Sequence, residues 1–200
     1  MRPRWIMTKR VLVILLLILP LSLCAQRRSL RFGIMGGVDY TALKAEDAAG
    51  WKLRAKPGFQ AGFSAGWYGR IFSVMPEFVY GRSSYVLKHS GVGKTALKIS
   101  TGDLAVMAGV HLGPACLEVG PTFCVLDNTS TTNVEATLFR PTVGYAVRAG
   151  IKFLPKLTFY VGHGGGFASS TLSIVGGPDN DDADLRVAAK RWNAGLRLLF

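Results

Sequence analysis

Between Leu30 and Phe200 one pattern recurs in separate runs, an apolar residue at every second position with a small or polar residue between. Successive side chains of a β-strand point to opposite faces, so a period of two is the signature of strands with two unlike faces. Leu30, Phe32, Ile34, Val38 and Tyr40 fall on one face, while Arg31, Gly33, Met35, Gly37 and Asp39 fall on the other. The same alternation runs through 59–67, 72–81, 103–112, 116–125, 139–153, 157–162 and 191–200. That makes eight strands. The 24 Gly and nine Pro argue against a helical bundle, because both weaken helix interiors. A hydrophobic content of 49% against 18% charged residues excludes a disordered chain.

The connections alternate in length. Residues 41–57, 82–99, 127–137 and 169–184 read as long polar loops, and 69–71, 113–114 and 154–156 as tight turns. Long loops at one end and short turns at the other are the organisation of a transmembrane barrel. A soluble barrel would turn its apolar face inward. Here the faces with Gly, Ser, Thr and scattered charge are small enough to fill the lumen of an eight-stranded barrel. The opposite faces are almost purely apolar, with aromatics near both strand ends. Tyr40, Phe59, Tyr80, Phe139 and Trp192 fall toward the long-loop side, and Trp67, Phe72, Phe153 and Phe200 toward the short-turn side. Two aromatic girdles around an apolar band suit a bilayer. The expected fold is all-β, an eight-stranded antiparallel up-and-down transmembrane β-barrel.

The first 25 residues read as an export signal. Lys9 and Arg10 precede VLVILLLILPLSL (11–23), an apolar run of about 13 residues, shorter than the ~20 needed for a helical span. Small and polar residues follow, and cleavage is expected between Ala25 and Gln26, which leaves residues 26–200 as the barrel domain. Met7 is a second plausible start. Cys24 would suit a lipid anchor, but Leu23 stands where such signals want a small residue. The net charge is +12; residues 1–25 hold four of the 24 basic residues and none of the 12 acidic ones, which leaves +8 on the rest.

Little in the sequence points to chemistry. There is no HExxH, CxxC, P-loop or GxSxG. Cys116 and Cys124 lie roughly 26 Å apart along one strand and cannot bridge each other. No cofactor or metal site is expected. His89-Ser90 and the acidic run Asp179–Asp182, with Asn180 within it, would have to meet at a rim to build a hydrolase or acyltransferase site. By alternation Arg31, Asp39, Glu77, Asp103, Glu118, Arg140, Arg148, Lys152, Arg191 and Arg197 face the lumen. Charges removed from water must be paired, so the lumen should be filled by salt bridges, with Glu77, Glu118, Arg140 and Arg148 as its charge network. His163, within Gly162–Gly166, would point at lipid unless a bulge resets the register. The 41–57 and 82–99 segments are basic and suited to lipid phosphates or an acidic partner. No continuous basic face suggests nucleic acid.

The segments KPGFQAGFSAGWYGRIFSVMPEFVYGRSS (56–84) and GPACLEVGPTFCVL (113–126) resemble the second and third strands and the central hairpin of the PorT-like outer-membrane β-barrels of Bacteroidetes. LCAQ (23–26) resembles the end of signals common in that phylum. Trp192, Leu196, Leu198 and the terminal Phe200 resemble the signal read by the barrel-assembly machinery. The resemblance implies an outer-membrane protein of a Gram-negative bacterium, in contact with membrane lipid, lipopolysaccharide and the assembly machinery. It implies a structural or interaction role, accessory to secretion or envelope assembly, with an unidentified protein partner at the loops or the periplasmic rim. A rim enzyme and a narrow channel are the alternatives.

Overall fold

The computed structural model describes residues 30–46, 52–89, 93–131, 135–139, 143–168, 170–175 and 183–200. Residues 1–29, with the expected cleavage site at Ala25 and Gln26, lie outside them, as do Arg140 and residues 176–182. Ten strands follow one another: β1 (Leu30–Glu46), β2 (Lys52–Tyr68), β3 (Phe72–His89), β4 (Gly93–Leu112), β5 (Ala115–Thr131), β6 (Glu135–Phe139), β7 (Val143–Leu154), β8 (Leu157–Gly166), β9 (Ser170–Val175) and β10 (Ala183–Leu199). Eight of them close a ring in the order β1-β2-β3-β4-β5-β7-β8-β10, with β10 returning to β1. Every pairing is antiparallel. Closure matters because lipid offers no hydrogen bond to an open edge. The last residue completes it: Phe200 N–H donates to the Phe32 carbonyl at 2.7 Å, and Phe32 N–H donates back at 3.4 Å.

The alternation sorts the wall into two faces. Phe32, Ile34, Phe63, Phe72, Val119, Ile151 and Leu196 are exposed on the outside, whereas Met35, Ser64, Met75, Met107, Thr158 and Tyr160 are buried inside. From Leu30 to Tyr40 the exposed band covers about 33 Å of strand, or about 25 Å of height at a typical tilt, which matches the apolar band of a membrane barrel. Phe59 and Tyr80 meet at 6.5 Å between ring centroids, and Tyr40 pairs with Trp192.

Three expectations need correction. The segments 41–57 and 82–99 are strand for most of their length: β1 runs to Glu46, β2 starts at Lys52, and β3 and β4 meet at His89 and Gly93. The 127–137 segment likewise contains the end of β5 and the start of β6, and 169–184 contains β9 and the start of β10. At 17 to 20 residues, β1–β5 far exceed the ~10 residues that cross a bilayer. The reason for the misreading is a polarity inversion. Within the apolar band the outside is greasy and the inside polar. Beyond it Tyr85, Leu97 and Ile99 are buried inside while Arg82, Ala96 and Lys98 are exposed outside. A wall with water outside reverts to the soluble pattern and so reads as polar loop.

The third correction concerns the sixth run. Phe139 does not continue into the strand that starts at Val143; it ends β6, which pairs with β9. Pro141 between them has no N–H to give to a ladder. Above the band the paired strands therefore fall into two groups. The registered pairing of β1 with β2 stops at Asp39–Gly58, beside a bulge at Lys56–Phe59, and β5 pairs with β7 only up to Phe123.

Close packing of wall on wall needs glycine where two strands pinch. A Cβ on Gly120 would run into the Val106 carbonyl and lie 3.1 Å from Met107 Cα. Both are backbone atoms and cannot rotate away. Gly120→Val should therefore abolish most of the heat-modifiable folded band on electrophoresis; an undiminished band would contradict this packing of β4 against β5.

Candidate functional site

The lumen is filled in tiers. Nearest the short turns, Tyr68 hydroxyl lies 3.2 Å from His111 Nδ1, and His111 Nε2 lies 2.9 Å from Ser73 Oγ. The Lys152 ammonium sits over the Tyr68 ring, 4.6 Å from its centroid. Register places His111 directly across from Cys116. A serine against an imidazole has the outline of a nucleophile and its base. Ser73, however, is only 2% exposed, and the far side of the ring meets a phenol rather than a carboxylate. The group seals the mouth.

Above it four charges from four strands meet: Glu77 of β3, Glu118 of β5, Arg148 of β7 and Arg197 of β10. Arg148 Nη1 donates to Glu77 Oε2 at 3.0 Å and to Glu118 Oε2 at 3.2 Å. Arg197 donates from Nη1 to Glu118 Oε1 at 2.6 Å, and from Nη2 to Glu77 Oε1 and Glu118 Oε2, each at 2.8 Å. All four carboxylate oxygens are satisfied, and two positive charges meet two negative ones. Tyr160 lies under both guanidinium groups, 4.8 Å from Arg148 and 6.0 Å from Arg197, and accepts a hydrogen bond from Gln60 Nε2 at 2.9 Å. Glu77 and Arg197 are 2% and 3% exposed. Such burial is tolerable only because each ion is paired and hydrogen-bonded.

A third tier lies on the other side of Gln60. Arg191 Nη1 donates to Asp103 Oδ2 at 2.6 Å, and Asp39 Oδ2 accepts from Ser83 at 2.9 Å and from Thr41 at 3.2 Å. Thr41, Gln60, Asp103, Arg191 and the Gly164–Gly166 run line a cavity of about 70 Å³, with room for a few waters. Beyond it the buried Tyr85, Leu97 and Ile99 pack inside the protruding wall.

Of the residues expected in the charge network, the structure brings Glu77, Glu118 and Arg148 together, with Glu118 and Arg148 as direct cross-strand partners. Arg140 is outside the described residues. Arg197 faced inward by alternation, but its place as the second cation of the quartet needed the register between β10 and its neighbours. Tyr160 gave no sequence signal beyond its inward parity. Arg31 is exposed, at the short-turn end of the lumen. Trp192, Leu196, Leu198 and Phe200 lie on the outer face of β10 and the residue after it, with the Trp192, Leu196 and Phe200 side chains exposed.

His163 keeps strict alternation, since β8 pairs with β10 from Leu157 to Gly165 without a register shift. Its ring lies outside, 4.5 Å from the Trp192 centroid and 6.0 Å from that of Tyr145, with Nε2 3.4 Å from the Tyr145 hydroxyl. Gly162 inside, not a bulge, absorbs the local crowding, because the Asn193 side chain occupies the space a Cβ would take. Neither Cys116 nor Cys124 is in a disulfide among the described residues. His89 ends β3 opposite Gly93, while residues 179–182 lie outside the described part. Among the described residues no group of three His, Cys, Asp or Glu is arranged to hold a metal ion.

The quartet makes a sharp energetic prediction. Removing one ion leaves a buried unpaired charge and costs roughly 3–5 kcal/mol, whereas an exposed cation contributes about 0–1. Urea titration in detergent should show Arg148→Ala or Arg197→Ala losing several times more stability than Lys98→Ala on the outer wall. Equal losses would mean that these arginines do not face a closed lumen.

No protein-family model matches the sequence, and no curated protein matches it either. The fold does match solved structures. The outer membrane protein OprG of Pseudomonas aeruginosa superposes with a TM-score of 0.55 at 13% identity, over 87% of this chain and 97% of that one. The outer membrane protein AlkL, determined by solid-state NMR in lipid bilayers, gives a TM-score of 0.55 at 10% identity over 88% and 92%. The Neisserial surface protein NspA gives 0.47 at 14% identity. At these identities the likeness is one of fold: an eight-stranded, all-antiparallel up-and-down barrel of the kind found in the outer membranes of Gram-negative bacteria.

Proposed function

We propose that this chain is exported, sits in a Gram-negative outer membrane and serves a structural or interaction role, with its lumen closed to solutes. The observation that carries the reading is the buried quartet of Glu77, Glu118, Arg148 and Arg197, whose charges cancel and whose side chains cross the bore. An eight-stranded barrel has little room beyond its own side chains, and here ion pairs, Tyr160, Met75 and Met107 occupy it. Function then falls to the surface that protrudes beyond the apolar band. The termini belong on the periplasmic side and the protruding ends of β1–β5 outside, because an even strand number returns the chain to its starting side. The terminal Phe200 and the outward residues before it on β10 suit recognition by the barrel-assembly machinery. The resemblance of 56–84 and 113–126 to PorT-like barrels favours an accessory part in secretion or envelope assembly, through a protein partner at the protruding end or the periplasmic rim. The chain performs no catalysis in this reading.

Planar-bilayer recording separates this reading from a channel. The wild-type barrel should show no discrete conductance steps. Regular steps from the wild type would overturn the closed lumen and favour the channel.

A further inference from the structure

The positive surplus of the chain has a definite place on the barrel. Arg54, Lys56, Arg82 and Lys98 are all exposed on the outer face of β2, β3 and β4. Register makes them neighbours. Lys56 and Lys98 flank Ser84 on either side, which at roughly 4.8 Å per strand sets their Cα atoms about 10 Å apart. Arg82 stands one side-chain repeat nearer the apolar band, opposite Phe59 and Ser100, and Arg54 one repeat farther, opposite Val86. The same outward rows carry Ser84, Val86, Ala96 and Ser100, and no acid among the described side chains. The nearby Asp103 is buried on the inner face, held by Arg191. Among the described side chains, four cations thus share outward rows that hold no acid.

Their height is as informative as their charge. Arg82 follows Tyr80 by one repeat on the same face and lies across from Phe59, and these two rings form part of the girdle on the protruding side. Aromatic girdles sit at the headgroup level of a bilayer, so the patch begins level with Phe59 and about 7 Å along the strand from Tyr80, where lipid phosphates lie. Lys56 and Lys98 share one level, with Arg82 one repeat below and Arg54 one repeat above. We infer that this face docks the phosphates of a multiply phosphorylated glycolipid in the adjoining leaflet. A phospholipid brings a single phosphate and leaves most of the patch uncompensated. A glycolipid with two phosphates on one sugar backbone meets several cations at once, through charge-assisted hydrogen bonds. The inference rests on the membrane reading above.

The test uses the full barrel refolded in detergent, with bis-phosphorylated lipid A, its dephosphorylated form and phosphatidylglycerol as probes, read by native mass spectrometry. Wild type should retain lipid A over both other lipids by at least about tenfold. K56Q/R82Q/K98Q should lose at least about tenfold of that retention while keeping its heat-modifiable shift, as expected when charge-assisted contacts are removed from a surface. Added salt should weaken wild-type retention, and equimolar inorganic phosphate should leave the lipid bound. Equal retention by the triple variant, equal retention of the dephosphorylated lipid, or displacement by inorganic phosphate would each overturn the docking site. Flotation of the same barrel with liposomes keeps the two claims apart: a barrel that floats but does not discriminate refutes the glycolipid site alone, and one that fails to float refutes the membrane reading beneath it.

Discussion

Two arginines and two glutamates, each from a different strand, hold the centre of this barrel. Lipid outside demands that every wall residue alternate with an inward one, and an eight-stranded bore leaves those inward residues no bulk water. Charges at Glu77, Glu118, Arg148 and Arg197 are therefore acceptable only as a set. Their mutual contacts at 2.6–3.2 Å tie β3, β5, β7 and β10 across the lumen. The ladder closes the barrel at its circumference, and the quartet closes it through its axis. Such a network contributes less to net stability than its contact count suggests, because desolvation offsets much of the attraction. Its effect is on specificity: a slipped register would turn one of these charges toward lipid.

Much of this was legible in the residues, because parity alone decides which face a strand residue joins. The inward placement of Glu77, Asp103, Glu118, Arg148, Arg191 and Arg197 follows from counting by twos, and so does the outward band from Phe32 to Phe200. What counting cannot supply is the stagger between strands. Glu118 and Arg148 share one turn-to-turn interval and could be paired from sequence, whereas Arg197 reaches Glu118 only through the closure of β10 onto β1 and β8.

The misread elements share a physical cause. Apolar-out alternation identifies strands only where lipid is outside. Once β3 and β4 leave the apolar band, the charged Arg82 and Lys98 take the outer face and Leu97 and Ile99 turn inward, so the period survives while its sign reverses. A reading keyed to apolar outward residues stops at the membrane boundary and takes the remainder for loop. Phe139 misled for the opposite reason, an aromatic in phase with the next strand but separated from it by Pro141. His163 looked like a register fault because a histidine on a lipid face is unusual; its ring instead joins Trp192 and Tyr145 at the girdle, where an amphipathic group is at home.

These features give a barrel with a filled bore and a wall that extends beyond the apolar band. The measurement that tests this most directly is a double-mutant cycle between Glu118 and Arg197, read as urea stability of the folded barrel in detergent. A buried, mutually dependent pair predicts that the double alanine variant loses far less than the two single variants together, with a coupling of about 1–3 kcal/mol. Additive losses would show that the two side chains titrate the stability independently, and that no closed charge network spans the lumen.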